Sequence, residues 1–197
     1  MRKQLAGTAL LTAAAMFMVN LPETEQNNPS VNHQQKKGDS QSEVGLLPDG
    51  QVPVNLVETI DGDTIKVRVM EKIETVRYLL IDTPESKKPG MCVQPYAKEA
   101  FLRNNELVKN GSLTLELEQG NTRDGYGRLL AYVFVDGKSI QETMLQEGLA
   151  RVGYIMNPPY KYLKLYKDDE SQEKRNKENI WSRPGFVTKW GFNGCSP

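Results

Sequence analysis

Three short segments of this 197-residue chain bring together side chains that could do chemistry. The first is Asp61-Gly62-Asp63-Thr64, where two carboxylates one residue apart could supply hard oxygen ligands to Ca²⁺ or Mg²⁺. The same residues would also make a hairpin turn, because Asp-Gly readily adopts the necessary backbone angles. This segment alone does not decide between a metal site and a turn.

The second segment places an arginine in a strand-like run of apolar residues. A guanidinium is costly to bury there unless it meets an anion, and Arg77 is followed by the carboxylates of Asp82 and Glu85. Thr83-Pro84 turns the chain between them. These residues could form either a ligand site or an ordinary ion pair at the rim of a barrel.

The third segment, residues 124–128 (DGYGR), has glycines on both sides of a tyrosine, which would let the backbone approach a ligand closely. A plain hairpin loop is the alternative. Arg77 and Arg128 would provide two guanidinium groups, which can bind phosphate oxygens through paired hydrogen bonds. Carboxylates that hold a divalent cation suit the attack of water on a phosphodiester.

Hydrophobic periodicity places the three segments at the ends of predicted strands. Alternating patterns predict five short strands, and helical patterns predict three helices. This order favours the α+β class and a small closed barrel of the OB type, although periodicity alone also allows an open α+β sheet. The predicted strands cover residues 52–56, 65–69, 76–81, 113–117 and 129–135, and the helices cover 96–109, 139–148 and about 160–179.

Composition excludes several classes of function. Lys and Arg together number 25, as do Asp and Glu, so the formal net charge is zero and bulk charge cannot hold the chain to a polyanion. The single histidine, His33, excludes a histidine pair, a His–Cys zinc site and a histidine triad. Any catalysis would therefore depend on carboxylates and arginines, with or without a metal ion.

Three parts are predicted along the chain. Residues 1–21 hold Arg2 and Lys3 ahead of an apolar run, which is typical of a signal peptide or an N-terminal membrane anchor. Residues 22–50 are polar and predict a disordered linker, and residues 51–197 form the folded domain. We expect a secreted protein or, with an uncleaved leader, one anchored on the outer face of the cell. Membrane attachment is expected only through this leader.

The two cysteines, Cys92 and Cys195, are an even number in a chain that we expect to be exported. We predict a disulfide between them, which would tie the loop beside the candidate site to the C-terminal tail. Two free thiols are the alternative.

The three segments also carry a family resemblance. The sequences IDGDT (60–64), VRYLLIDTPE (76–85) and RDGYGRLLAY (123–132) are similar to those of the staphylococcal nuclease (thermonuclease) family and stand in the same order. The similarity continues through GLARVGY (148–154) to IWS (180–182). It covers nearly the whole predicted domain.

The resemblance implies a five-stranded OB-fold β-barrel with three α-helices. It implies an endonuclease or exonuclease that hydrolyses DNA and RNA with Ca²⁺ as cofactor and leaves 3′-phosphorylated products. DNA and RNA are then the substrates, no protein partner is implied, and we expect a monomer. The alternative function is a catalytically inactive OB-fold module that binds nucleic acid.

Site residues are carried over by motif from the same resemblance. Gly125 and Met156 depart from the family's best-known member, in which a lysine and a tyrosine are expected, so nucleotide affinity could differ. The implied residues are Asp63, Asp82 and the backbone carbonyl of Thr83 as calcium ligands, with Asp61 near the metal; Glu85 for the attacking water; Arg77 and Arg128 for the phosphate and its developing charge; and Tyr126 and Tyr154 for the nucleotide.

Overall fold

Residues 50–86, 90–120 and 122–196 are described by a computed structural model, and all of them belong to one compact unit. The predicted signal peptide or anchor (1–21) and nearly all of the predicted linker (22–50) lie outside the described residues, so those assignments stay predictions. Among the described residues, no helix is long and apolar enough to cross a bilayer.

The described chain contains short strands and three α-helices, which gives the α+β class that the hydrophobic patterns predict. In chain order, the elements are β1 (Val52–Pro53), β2 (Asn55–Thr59), β3 (Thr64–Val69), β4 (Lys72–Tyr78), β5 (Ile81–Asp82), α1 (Ala97–Lys109), β6 (Leu113–Glu116), β7 (Leu129–Val135), β8 (Lys138–Ser139), α2 (Ile140–Gln146), β9 (Arg151–Val152), α3 (Leu163–Asn176), a 3₁₀ helix (Asn179–Trp181), β10 (Val187–Thr188) and β11 (Gly191–Phe192).

One segment of the chain supplies both edges of the main sheet. The spatial order of the strands is β1-β6-β7-β4-β3-β2, with β8 paired to β7. This path is open between β1 and β2, but the two strands follow one another in the chain with Val54 alone between them. The Val54 N–H donates to the carbonyl of Leu113 at 3.0 Å. The sheet therefore curls until its first and last strands meet at one bend, as an OB fold requires.

The prediction of a single strand over residues 76–81 is wrong for its second half. β4 ends at Tyr78, and Leu79 and Leu80 form a buried turn in which Leu80 has a positive φ of 65°. The chain then enters β5, which pairs with β9 rather than with the main sheet. A turn made of apolar residues inside the core does not interrupt the hydrophobic pattern, so periodicity could not reveal it.

The parallel pairing of β4 with β7 joins two of the segments singled out in the sequence. Arg77 is the register partner of Leu130, and Val76 is the partner of Leu129. The arginine of the second segment therefore lies beside the strand that leaves the third segment. Strand pairing alone brings these distant parts of the chain together.

Helix α1 fixes the first segment against the sheet. Ala100 and Val108 lie on its buried face, as the helical pattern predicts. Asn104 is polar on the same face and fully buried. Its amide donates to the Asp61 carbonyl, and its oxygen accepts from the Tyr78 hydroxyl, both at 2.8 Å. This polar bridge connects the Asp61 turn to the end of β4.

Candidate active site

Arg77 lies between two buried carboxylates. Its Nη2 is 3.2 Å from Asp63 Oδ2 and 3.6 Å from Asp82 Oδ1, and all three residues are buried. Nη1 donates to the carbonyls of Tyr78 and Ile81 at 3.0 Å. Burial lowers the pKa of Arg77, but the surrounding negative charges, first those of Asp63 and Asp82, together raise it above its ordinary value, so the guanidinium stays charged.

The turn that carries Asp63 is held by its own hydrogen bonds. Asp61 Oδ1 accepts from the Asp63 N–H at 3.0 Å, and Asp63 Oδ2 accepts from the N–H and the hydroxyl of Thr83 at 2.8 and 3.0 Å. A Cβ added at Gly62 would lie 2.6 Å from Thr83 Oγ1, so the turn has room for glycine alone. The Asp-Gly turn and the candidate site are thus one structure rather than alternatives.

Burial and mutual repulsion raise the pKa of two carboxyls in this cluster. The pKa of Asp61 is raised to about 7, first by burial and then by the charge of Asp63. The pKa of Asp82 is raised to about 6 by the same two causes, partly offset by Arg151 and Arg77. We name Asp61, Asp63 and Asp82, with the guanidiniums of Arg77 and Arg151, the carboxylate cluster. Fully ionised, it has three negative charges and two positive ones, so its net charge is negative.

Arg151 is a site residue that sequence reasoning missed. Its Nε and Nη2 each lie 2.9 Å from Asp82 Oδ2, and the β5–β9 register sets the two residues opposite each other. A signal was present in the sequence, because Arg151 stands in the otherwise apolar run 149–152 just as Arg77 stands in β4.

A cavity of about 390 Å³ opens beside Arg77. The Arg77 guanidinium lies 4.9 Å from the ring centre of Tyr154, and the Arg128 guanidinium lies 5.5 Å from that of Tyr126. All four residues line the cavity. Tyr126 and Tyr154 are exposed, so both rings offer surface on which a base could stack.

The loop before β7 holds Arg128 in place. Asp124 Oδ1 accepts from the N–H groups of Tyr126 and Arg128 at 3.0 and 2.9 Å, and Asp124 Oδ2 accepts from Arg128 Nε at 2.7 Å. Gly127 has a positive φ of 80°, which a glycine adopts at little cost. Arg128 is oriented by this loop but remains partly exposed, within reach of a ligand in the cavity.

Glu85 follows Asp82 by three residues, and Gln94 makes hydrogen bonds to the backbone of Glu85. The Glu85 N–H donates to Gln94 Oε1 at 2.8 Å, and the Glu85 carbonyl accepts from the Gln94 N–H at 3.0 Å. Gln94 is buried and donates through Nε2 to the Phe192 carbonyl at 2.9 Å. Sequence reasoning missed Gln94, because its partners lie far apart in the chain and no pattern marks it.

Cys92 and Cys195 form a disulfide with their Cα atoms 5.6 Å apart. Next to it, the Ser196 N–H donates to the Val93 carbonyl at 2.7 Å. The segment that contains Gln94 is therefore tied to the C-terminal tail.

The structure sorts the residues expected from the sequence into two neighbouring groups. Arg77 belongs to both groups, and Glu85, three residues after Asp82 in the chain, is held through its backbone by Gln94. The first group is Asp63, Asp82, Thr83 and Arg77, in which Arg77 contacts both carboxylates and Thr83 contacts that of Asp63; the second is Arg77, Tyr126, Arg128 and Tyr154, which line the cavity.

Comparison with known protein families shows where this chain belongs. A family model described as "Staphylococcal nuclease homologue" matches residues 75–183, which is more than half of the chain. The chain is a member of this family. Membership confirms the predicted OB fold of the α+β class, with a mixed sheet and three helices.

Individual relatives agree with this assignment. The SPbeta prophage-derived endonuclease YokF of Bacillus subtilis (strain 168) is 59% identical over 144 residues, which are 73% of this chain and 49% of that protein. Endonuclease YncB of the same organism is also 59% identical over 144 residues, and the match covers 68% of its length. The thermonuclease of Staphylococcus hyicus is 37% identical over 138 residues, which are 70% of this chain and 80% of that protein. The matched part of the chain thus spans about half of YokF.

The two departures from the best-known nuclease of the family both fall in the cavity. Gly125 and Met156 line it together with Arg77 and Tyr154, and the Met156 side chain is exposed. Neither residue is among the contacts of Asp63 or Asp82 described above. The differences therefore concern the part of the site that would face a nucleotide.

The oxygen atoms beside Arg77 fit a calcium ion by donor type. Asp63 and Asp82 present carboxylate oxygens to the same guanidinium nitrogen, and carboxylate and carbonyl oxygens are the ligands that Ca²⁺ binds. The excess negative charge of the cluster, to which Asp61 contributes, also favours a divalent cation. Within the described residues, no three acidic, histidine or cysteine side chains are arranged as a metal-binding group, so carbonyl or water oxygens would complete the coordination.

Proposed function

We propose that this protein is a Ca²⁺-dependent nuclease that hydrolyses phosphodiester bonds of DNA and RNA and leaves 3′-phosphorylated products. Relatives named endonuclease and thermonuclease support the reaction class. The observation that carries the proposal is the contact of Arg77 with Asp63 and Asp82 at the wall of a cavity that Arg128 also lines. A phosphate in this cavity lies beside two guanidiniums and next to buried carboxylates.

Arg77 and Arg128 bind the substrate phosphate in this proposal. Guanidinium groups match phosphate oxygens through paired hydrogen bonds, and fixed positive groups stabilise the negative charge that grows during the attack. Tyr126 and Tyr154 flank the nucleotide through their exposed rings. The sugar and base therefore occupy the open side of the cavity.

Asp63, Asp82 and the Thr83 carbonyl would hold the calcium ion. When bound, Ca²⁺ neutralises phosphate charge and assists the attack of water. Thr83 orients the Asp63 carboxylate through two hydrogen bonds, and Arg151 orients that of Asp82. Glu85 positions the attacking water and accepts its proton; as the water oxygen bonds to phosphorus the P–O5′ bond breaks, and the leaving 5′ oxygen takes a proton from solvent water.

The metal requirement and the products are tested on the purified full-length protein. Single-stranded DNA, double-stranded DNA and RNA are incubated with Ca²⁺, with Mg²⁺ and with a calcium chelator. We expect cleavage in Ca²⁺ that stops in chelator, and 3′ ends that a polymerase extends only after phosphatase treatment. Cleavage that persists in chelator contradicts the calcium requirement, and ends that are extended directly contradict the product assignment.

Glu85→Gln tests the proposed chemistry with little change of shape. Turnover should fall by about 10²- to 10⁴-fold, because the amide cannot accept the proton, while circular dichroism shows an intact fold. Glu99→Gln, on the exposed face of α1, is the matched control and should keep wild-type turnover. Full activity of Glu85→Gln would contradict its role. A folded wild-type protein that cleaves nothing with any metal would favour the inactive nucleic-acid-binding module.

Export is part of the same proposal. The charged and apolar N-terminal pattern supports it, and so does a disulfide, which persists mainly in oxidising compartments. Fractionation of producing cells should find the protein in the medium or, with an uncleaved leader, on the outer face of the membrane. Recovery in the cytosol alone would contradict export.

A further inference from the structure

The C-terminal tail beyond the family match is built into the domain. We name residues 186–196 the strap; the matched region ends at residue 183. The strap contains the β10–β11 hairpin and one cysteine of the disulfide. Its Phe186 is buried, with ring centres 5.8 Å from Tyr96 and 5.4 Å from Phe192. This packing gives the strap a defined place against the domain.

One contact of the strap leads to Glu85. The Gln94 side chain donates to the Phe192 carbonyl of the strap at 2.9 Å and accepts from the Glu85 N–H at 2.8 Å. The disulfide joins Cys92, two residues before Gln94, to Cys195 of the strap. A single buried side chain thus couples the strap to the backbone of Glu85, so a displacement of the strap is passed to that residue.

A second contact leads to Asp82. The ring centre of Phe192 lies 5.8 Å from the guanidinium of Arg151, the group that holds Asp82 Oδ2 at 2.9 Å. A Cβ added at Gly191 would be 3.9 Å from the same Asp82 oxygen. The backbone of the strap therefore lies directly beside this carboxylate.

We propose that the strap is a positioning element of the active site, which acts through Gln94 on Glu85 and through Phe192 on Arg151 and Asp82, and that the Cys92–Cys195 disulfide holds it in place. Since this inference rests on the proposed nuclease function, it concerns the rate of the same reaction. Displacement of a reacting group by about 1 Å can cost about 10²-fold in rate. No described strap residue lines the cavity, so the strap should affect turnover more than substrate binding.

Gln94→Met is the main test, because methionine has a similar length but can make neither hydrogen bond. We expect kcat to fall by about 10- to 100-fold. KM, and the Kd for a single-stranded oligodeoxynucleotide measured in chelator, should stay within about threefold of wild type. Gln94→Glu keeps an oxygen for the Glu85 N–H and should recover part of the loss. Gln146→Met makes the same substitution at an exposed glutamine of α2, where it removes hydrogen bonds to Glu142 and Asp169, and serves as the control with unchanged kcat.

Reduction of the disulfide is a second test that does not depend on the folding of Gln94→Met. Treatment of the folded wild-type protein with a reductant should lower kcat without a matching change in KM. The double variant Cys92→Ser/Cys195→Ser should show the lowered kcat from the start and should not respond to reductant. Circular dichroism verifies that each protein is folded.

The outcomes separate this inference from the nuclease proposal. An active wild-type protein whose kcat is unchanged by Gln94→Met and by reduction would overturn the positioning role. Equal losses in kcat and in oligonucleotide binding would overturn it as well, because they indicate a general loss of structure. A wild-type protein that cleaves nothing with any metal overturns the nuclease function itself, and the strap's catalytic role falls with it.

Discussion

The candidate active site has two regions that differ in burial and in the number of contacts their groups make. In the carboxylate cluster, Asp63 is 5% and Asp82 is 6% exposed. Arg77 and Thr83 contact Asp63, and Arg77 and Arg151 contact Asp82. In the cavity beside it, Tyr126 is 88% and Met156 is 74% exposed.

This difference matches two separate demands of the proposed reaction. Groups that stabilise charge must be in place before the substrate arrives, which buried and mutually hydrogen-bonded residues achieve. A surface that accepts more than one base needs exposed rings, because every base has a face that can stack. A change in the cluster should therefore alter stability as well as rate, and a change at an exposed side chain of the cavity, such as Tyr126 or Met156, should alter mainly binding.

Arg77 joins the two regions, so its replacement should have the largest effect. Arg77→Lys keeps the positive charge but loses the planar group that contacts Asp63, Asp82 and two carbonyls at once. We expect kcat/KM for an oligonucleotide in Ca²⁺ to fall by about 10³-fold. A loss of less than tenfold would show that the charge of Arg77, rather than its shape, is what the site needs.

A matched pair of arginine substitutions compares the stability of the two regions. Arg151→Met leaves Asp82 buried without its main partner and should lower the free energy of unfolding by about 3–5 kcal/mol. Arg128→Met removes a partly exposed arginine, paired with Asp124, and should cost about 1 kcal/mol or less. Urea unfolding in chelator measures both values. Equal losses would show that the cluster and the cavity do not differ in this way.

Stability should depend on pH through the carboxylate cluster. The pKa values of Asp61 (about 7) and Asp82 (about 6) in the folded protein lie above 3.8, so the folded state binds protons more readily than the unfolded state. The resulting stabilisation is complete below pH 3.8 and is lost as the pH rises through 6 and 7. In chelator, we expect a free energy of unfolding about 4 kcal/mol higher at pH 5 than at pH 8.

Asp61→Asn isolates the contribution of one carboxyl to this pH dependence. Asparagine keeps an oxygen that can accept from the Asp63 N–H but does not titrate, so the difference between pH 5 and pH 8 should shrink. An unchanged difference in the variant would mean that Asp61 does not titrate in this range.

Added Ca²⁺ should stabilise the wild-type protein more at pH 8 than at pH 5, because metal binding needs ionised carboxylates.

The smallest expected effect is in the cavity. Met156→Tyr adds a ring where the best-known relative is expected to have one, and it should tighten oligonucleotide binding in chelator by about threefold to tenfold. Unfolding should be unaffected, because the Met156 side chain is exposed. Leu165→Tyr, on the partly exposed surface of α3, controls for a general effect of added aromatic surface. Equal gains from both variants would mean that position 156 is not special.

Local sequence patterns predicted the residues of the cluster but not all of their partners. Arg77 could be recognised because an arginine in an apolar strand needs an anion, and the Asp61-Gly62 turn because its residue types define it. The turn at Leu79 and Leu80 was invisible because buried turns keep an apolar pattern. The role of Gln94 depends on a carbonyl of the distant β11, which no local pattern can specify.

The parallel pairing of β4 with β7 also determines when the site can exist during synthesis. Arg77 gains its neighbours on β7 once that strand has been made, and Asp82 gains Arg151 only after the chain has been made as far as β9. Contacts between such distant residues form late, because a long loop must close first. A nascent chain that ends just before Arg151 therefore carries all three segments, but its Asp82 still lacks the arginine of β9. In the proposed nuclease, activity should therefore begin only once β9 has been made and has paired with β5.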